Sequence, residues 1–222
     1  MGSLTKYFSD ADLKEIKLSV KDAEAKTSAE IVPFFAEASH HYREANFILS
    51  FLSGAVFGLF AIFYDLFFDS GWVIGLQEGV MAVWFGALFG FALGLFFPKF
   101  RLYVVDSKTK SRFVHSAARE AFLREEVFRT EARIGILLYI SLEERMTVVL
   151  PDTGIVKAVP ASEWTEVVNI IVKGMKFRDK KNGIIEAIWY CGDLLEKYEI
   201  RVKKVNPNEI SDELRSGGTK LN

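Results

Sequence analysis

The stretch Arg133–Ile155 reads RIGILLYISLEERMTVVLPDTGI and brings Glu143, Glu144, Arg145 and Asp152 close together in sequence. Carboxylates are what calcium or magnesium needs in number, since both ions take oxygen ligands. A carboxylate beside a glycine, as at Asp152, also suits a phosphoryl acceptor. The chemistry in question is divalent-cation binding or phosphomonoester hydrolysis. An Asp-Thr-Gly run is equally what a tight turn prefers.

Spacing argues against a single cluster. The apolar runs IGILLYIS and MTVVLP, separated by the polar LEER, predict a strand hairpin. Glu143 and Glu144 then occupy the turn and Asp152 the far end of the second strand, about 20 Å away at ~3.3 Å per residue. Helix starts and strand ends share one edge of many α/β sheets, so Glu163 and Asp179 are the acids that could join Asp152. These three form the candidate metal set, with calcium or magnesium as the implied ion.

Other chemistry has less to stand on. His40 and His41 are adjacent and diverge on any regular element, and His115 is distant in sequence, so interfacial solvation is favoured over a two-histidine metal site. Ser141 has no nucleophile-elbow pattern, and no phosphate-cradling glycine loop is present. Cys191, the single cysteine, excludes an intramolecular disulfide framework and a Cys-rich zinc site, and its run AIWYCGDLL makes it a core residue. With 28 basic and 29 acidic residues the net charge is -1, so no global field favours nucleic acid.

The elements that must position these residues begin with an amphipathic helix over Ser9–Lys26, capped by Ser9 or Asp10. TSAEIVPFFAEA follows, where Pro33 predicts an edge strand or a bulge. After residue 97, Ser107–Phe128 predicts a helix with Phe113, Val114, Ala117, Ala118, Ala121 and Phe122 inward. Beyond the strand hairpin, Ser162 is the expected N-cap of a helix carrying Trp164, Val167, Val168 and Ile171, and a last helix runs from about Gly183 to Tyr198. Residues 201–222 are polar, and they read as a tail that does not pack.

Between these parts lie two uncharged apolar runs, 47–64 with 18 residues and 79–97 with 19. At about 1.5 Å rise per residue each comes close to a hydrocarbon core of about 30 Å, and neither has the polar stripe of a soluble core helix. The 14 residues joining them are too few for a domain, so the runs predict a transmembrane hairpin. That connection carries Asp65, Asp69 and Glu78 and no Lys or Arg, whereas Lys99, Arg101, Lys108, Lys110 and Arg112 follow the second run. The positive-inside tendency then puts both flanks in the cytoplasm. Gly54 and Gly58 in the first helix, and Gly86, Gly90 and Gly94 in the second, form small-residue ridges suited to packing the helices together or to a homodimer. No midplane charge marks an ion pathway. No cleavable signal opens the charge-dense first 45 residues.

Helix, strand, hairpin, helix, two strands and two helices make an α/β fold, with residues 1–46 and 99–200 as one discontinuous domain interrupted at 47–97. In order along the chain, TSAEIV at Thr27–Val32, FRTEARIGILLYISLEERMTVVLPDTGI at Phe128–Ile155, EWTEVV at Glu163–Val168 and GIIEAIWYCGDLL at Gly183–Leu195 resemble the TPM domain proteins. That family takes its name from a thylakoid lumen protein, a photosystem II associated protein and a nematode receptor modulator. The chain is most similar to membrane-anchored bacterial members, over about residues 8–200. The resemblance implies a three-layer α/β/α sandwich with a small central sheet. It also implies one of three activities: weak acid phosphatase, divalent-cation binding through acidic loops, or assembly and repair of membrane complexes. Secreted members carry a GYGLEG-type loop after the strand hairpin, where this chain reads PDTGIVKAV. Only Asp152 matches a recurring acidic position. The combined expectation is a two-pass inner-membrane protein with a cytoplasmic interaction module acting on a membrane protein partner. The alternative is a weak cation-dependent phosphatase.

Overall fold

In the computed structural model, which describes residues 4–67, 75–177, 179–200 and 210–217, the first helix starts where its caps require. Helix α1 (Asp10–Glu24) opens with a capping box: Ser9 Oγ accepts the Asp12 N–H, and the Asp12 carboxylate accepts the Ser9 N–H. Its apolar stripe of Ile16, Val20 and Ala23 is buried.

The chain divides into two compact units, one of Met1–His40 and Ser111–Lys220, the other containing His41–Lys110. The first is built on a four-stranded mixed sheet in the order β3-β2-β1-β4, with β1 at Glu30–Ala36, β2 at Gly135–Ser141, β3 at Met146–Pro151 and β4 at Arg215–Gly217. β2 and β3 form the antiparallel hairpin, with Ser141 opposite Met146, and β1 runs parallel to β2 with Glu30 opposite Gly135.

Pro33 does not mark an edge, as its type suggested: β1 is flanked by β2 on one side and by β4 on the other. The Glu30 N–H turns toward the β2 side, to Ile134 O. Strand alternation therefore aims the Pro33 nitrogen at the opposite side, where β4 pairs only from Phe34 onward. No ladder bond is lost.

β4 corrects the reading of the C-terminal segment. Residues 201–209 and 218–222 lie outside the described residues, but Arg215–Gly217 pairs in parallel with Phe34–Ala36 and Leu214 is buried. Backbone hydrogen bonds dock this polar segment, and a pattern of apolar side chains does not reveal them.

Both faces of the sheet are apolar. Ile31, Phe35, Ile136, Leu138 and Ile140 share one core with Val20 of α1 and with residues of α7 (Trp164–Lys176) and α8 (Lys180–Lys197), among them Val167, Ile171, Ile188 and Leu195. On the opposite face Val32, Phe34, Leu137 and Tyr139 pack with Val114, Ala118 and Ala121 of α5 (Ser107–Arg124).

Three boundaries depart from the expected ones. α5 stops before Phe128 because Glu126 turns left-handed at φ 53°. The Glu126 N–H then bonds Leu123 O, and the Val127 N–H bonds Phe122 O, which completes a Schellman cap. Ser162 is not an N-cap, since Ala161–Glu163 forms a 3-10 turn after Pro160 and α7 starts uncapped at Trp164. α8 begins at Lys180, so Gly183 is interior, and a Cβ there would lie 2.8 Å from Gly174 Cα of α7. That glycine pair sets a close helix crossing.

The second unit is a helical hairpin of α2 (Ala45–Phe67) and α3 (Leu76–Phe96), both long and apolar enough to cross a membrane, with 17% of the apolar stretch of each buried within the chain. The glycine ridges face the partner helix of the same chain. A Cβ on Gly86 would lie 2.7 Å from Ser53 O, one on Gly54 3.1 Å from Val83 O, and one on Gly58 2.8 Å from Val83 Cγ2. Gly90 abuts the Leu49 carbonyl and Gly94 the Asn46 side chain. With Gly86, Gly90 and Gly94 all buried, the homodimer expected through that ridge would have to displace α2. Ser50 Oγ donates to Ala87 O at 2.9 Å across the pair. Below them α4 (Arg101–Val104) brings in a buried arginine: Arg101 Nε donates to Asn46 Oδ1 and Gly94 O, both at 2.9 Å, and Nη1 to His41 O at 3.1 Å. Burial and the nearby Arg43 lower the Arg101 pKa from the ordinary guanidinium value.

Candidate functional site

Asp152 is committed to structure. It caps α6 (Thr153–Val156), its Oδ1 accepting the Thr153 N–H at 2.6 Å, and its own N–H bonds Gly135 O at 2.8 Å. The carboxylate is also gripped by Arg133, Nε to Oδ2 at 2.7 Å and Nη2 to Oδ1 at 3.0 Å. Both oxygens are used and the residue is 3% exposed.

Glu163 and Asp179 do not join it. Glu163 Oε1 accepts from Tyr198 Oη at 2.8 Å and Lys197 Nζ at 3.1 Å, and these bonds, led by the one from Tyr198, hold its pKa below the usual carboxylate value. Asp179 stands at the start of α8 and accepts from Asn182 Nδ2 at 2.9 Å. Among the described residues no three His, Cys, Asp or Glu side chains gather around a point where a metal ion could sit. The expected set comes apart because each acid answers a local backbone or ion-pair need.

The turn acids part company too. Arg145 is exposed and takes a left-handed φ of 54°, the conformation that closes the β2–β3 turn. Glu144 turns inward and is 7% exposed. Its Oε1 accepts the Ser39 N–H at 2.8 Å and its Oε2 accepts a short bond from Ser141 Oγ. Ser39 Oγ in turn meets Ser141 Oγ at 2.9 Å and Tyr139 Oη at 3.2 Å. A hydroxyl has one proton to give. Ser141 gives its proton to Glu144, so Ser39 gives its proton to Ser141 and Tyr139 gives its proton to Ser39. The chain is thereby polarised in one direction, and Tyr139 Oη at its outer end keeps only acceptor capacity.

That outer end lines a cavity of about 180 Å³, bounded also by Phe34, Ser39, Glu120, Ala121 and Arg124. Strands β1 and β2 supply the floor, where the Phe34 and Tyr139 rings stack 5.4 Å apart at 9°. α5 supplies the wall, with Glu120 and Arg124 one turn apart on the same side. The Arg124 guanidinium lies over the Phe34 ring at 5.3 Å, which orients it by cation–π attraction. Burial raises the Tyr139 pKa, so the phenol stays protonated.

Such a site is a built polar cleft on an otherwise apolar sheet face. No family model matches the chain, and no curated protein matches it. Among solved structures it is similar to the NMR structure of BA42 protein from the psychrophilic bacteria Bizionia argentinensis, with a TM-score of 0.60 and 18% identity over 98% of this chain and 100% of that one. At that identity the likeness concerns the fold.

Ser39, Glu120, Arg124 and Tyr139 belong to no motif in the sequence. Glu120 and Arg124 carry the one local signal, a charged pair at four-residue spacing on the polar side of α5, which is also what any solvated helix face shows. Ser39 and Tyr139 meet only through the β1–β2 register. Of the remaining candidates, the His40 ring stacks on Phe113 at 3.8 Å, His115 is exposed, and Cys191 is fully buried with its thiol pKa raised to about 12.

Proposed function

We propose that the chain is a two-pass membrane protein whose α/β domain faces the cytoplasm and acts as an interaction module on a membrane protein complex. The observation that carries this reading is the hairpin. α2 and α3 bury their small-residue ridges against each other and leave Phe51, Leu59, Phe60, Trp84, Phe85 and Leu88 outward, each more than half exposed. Apolar surface on that scale needs lipid to cover it. The charge asymmetry between the acidic connection and the basic residues after α3 supports the cytoplasmic orientation. Apolar packing on both sheet faces supports the three-layer α/β/α reading and, with it, the resemblance to TPM domain proteins.

The phosphatase alternative has less to support it. Asp152 already spends both carboxylate oxygens on Arg133 and the α6 backbone.

Purification of the full chain in a mild detergent, with a phosphomonoester assay alongside, tests the reading. A membrane protein that copurifies in stoichiometric amount, without turnover, is expected. A chain that elutes alone and hydrolyses phosphomonoesters with calcium or magnesium, and loses both properties in Asp152→Asn, would reverse the preference.

A further inference from the structure

The cavity floored by Phe34 and Tyr139 is small and carries both signs of charge. Its volume of about 180 Å³ gives room for a small organic molecule. Glu120 and Arg124 stand one helical turn apart, with Cβ atoms about 5–6 Å from each other. Arg124 Nε contacts Glu125 Oε1 at 3.3 Å, a long bond that engages one of the five guanidinium N–H donors. The proton order through Glu144, Ser141, Ser39 and Tyr139 leaves Tyr139 Oη offering a lone pair to whatever enters. Two acceptors, Glu120 and Tyr139 Oη, therefore face one fork of donors at Arg124.

We infer that this cavity binds a small zwitterion of the α-amino acid class, its ammonium on Glu120 and Tyr139 Oη and its carboxylate on Arg124. Each half of the match follows from donor and acceptor inventory. An ammonium has donors only, and so complements a carboxylate and a phenol oxygen whose proton is already given away. A carboxylate has acceptors only and fits the planar guanidinium, which stacking on Phe34 holds in place. An anion alone would leave Glu120 facing it unfavourably, and a cation alone would face Arg124. The inference does not depend on which side of a membrane the domain occupies.

Isothermal titration of the full chain in detergent micelles, with L-alanine as probe and acetate and methylammonium as its separated halves, tests the assignment. Saturable heat with alanine is expected, with each half binding at least about tenfold more weakly. Glu120→Gln and Arg124→Gln should each weaken alanine by about tenfold or more, through loss of a charge-assisted bond. Arg124 also packs on Phe34, so the Glu120→Gln variant, whose residue is exposed, carries the test if Arg124→Gln alters the thermal midpoint. Alanine binding unchanged by Glu120→Gln would overturn the inference. So would acetate binding as tightly as alanine, or no saturable heat with alanine.

Discussion

The guanidinium of Arg133 holds the carboxylate of Asp152 side-on, through bonds of 2.7 and 3.0 Å. Asp152 also caps α6, so it is an anchor between the strand hairpin and the loop before β2. Arg133 is about half exposed, and solvent screens the ion pair itself. The cap and the buried carboxylate carry most of the effect. Asp152→Ala should destabilise the fold by about 1–3 kcal/mol. Denaturant titration measures that loss, and calcium titration of the two proteins should show no difference between them.

Gly90 faces the Leu49 backbone, where a Cβ would meet Ser53 Cβ at 2.6 Å and the Leu49 carbonyl carbon at 2.8 Å. Neither backbone can give way without separating the helices. Gly90→Ala should therefore cost the hairpin about 1–3 kcal/mol by overpacking. Gly79, with nothing within 4 Å of its would-be Cβ, is the control, and Gly79→Ala should cost nothing. Thermal unfolding in detergent micelles separates the two.

Glu24 accepts the Ile31 N–H at 2.7 Å near the carboxylates of Glu30 and Asp212. Burial, opposed by that bond and reinforced by the two acids, raises its pKa from 4.5 to about 8. The folded value lies above the unfolded one, so the folded chain holds the extra proton between them. Stability from this group is whole below pH 4.5 and declines as pH rises toward about 8. The loss is on the order of a few kcal/mol. Glu24→Gln keeps an acceptor for Ile31 and has no charge to develop, so its denaturation midpoint should change less between pH 5 and 8.5, about the span in which a carboxyl raised this far titrates.

Cys191 is fully buried and its thiol pKa is raised to about 12 by desolvation. Thiolate is the reactive form. A maleimide reagent at pH 7 should leave the native protein unmodified and label it once denaturant is added, which mass spectrometry reads directly.

Patterns that repeat along the chain were legible in the sequence. The α1 stripe, the β2–β3 pair and the two long apolar helices all announce themselves by periodicity or by uninterrupted hydrophobicity. Features that depend on one backbone angle or on register did not. The α5 stop rests on a left-handed Glu126 rather than a glycine, so no residue type marked it. β4 docks through main-chain bonds, and polar side chains hid it. Pro33 misled because proline's usual edge position is one way, and not the only one, of avoiding an unmade ladder bond. Among the described residues Asp152, Glu163 and Asp179 are not gathered at one point, for a related reason: acids near strand ends and helix starts are also the residues that cap and pair. Ser39, Glu120, Arg124 and Tyr139 are brought together by the β1–β2 pairing and by α5 lying across it, which no spacing in sequence records.

Because Cys191 is buried, cysteines placed on either side of the hairpin report the membrane topology of the chain directly. Ser70→Cys in the connection between α2 and α3, and Lys157→Cys at an exposed position of the α/β domain, are each labelled with a membrane-impermeant maleimide in sealed right-side-out vesicles. Labelling at position 70 without detergent, and at position 157 only after detergent, is the expected result. Labelling at 157 in sealed vesicles, or recovery of the chain in the soluble fraction, would contradict the account.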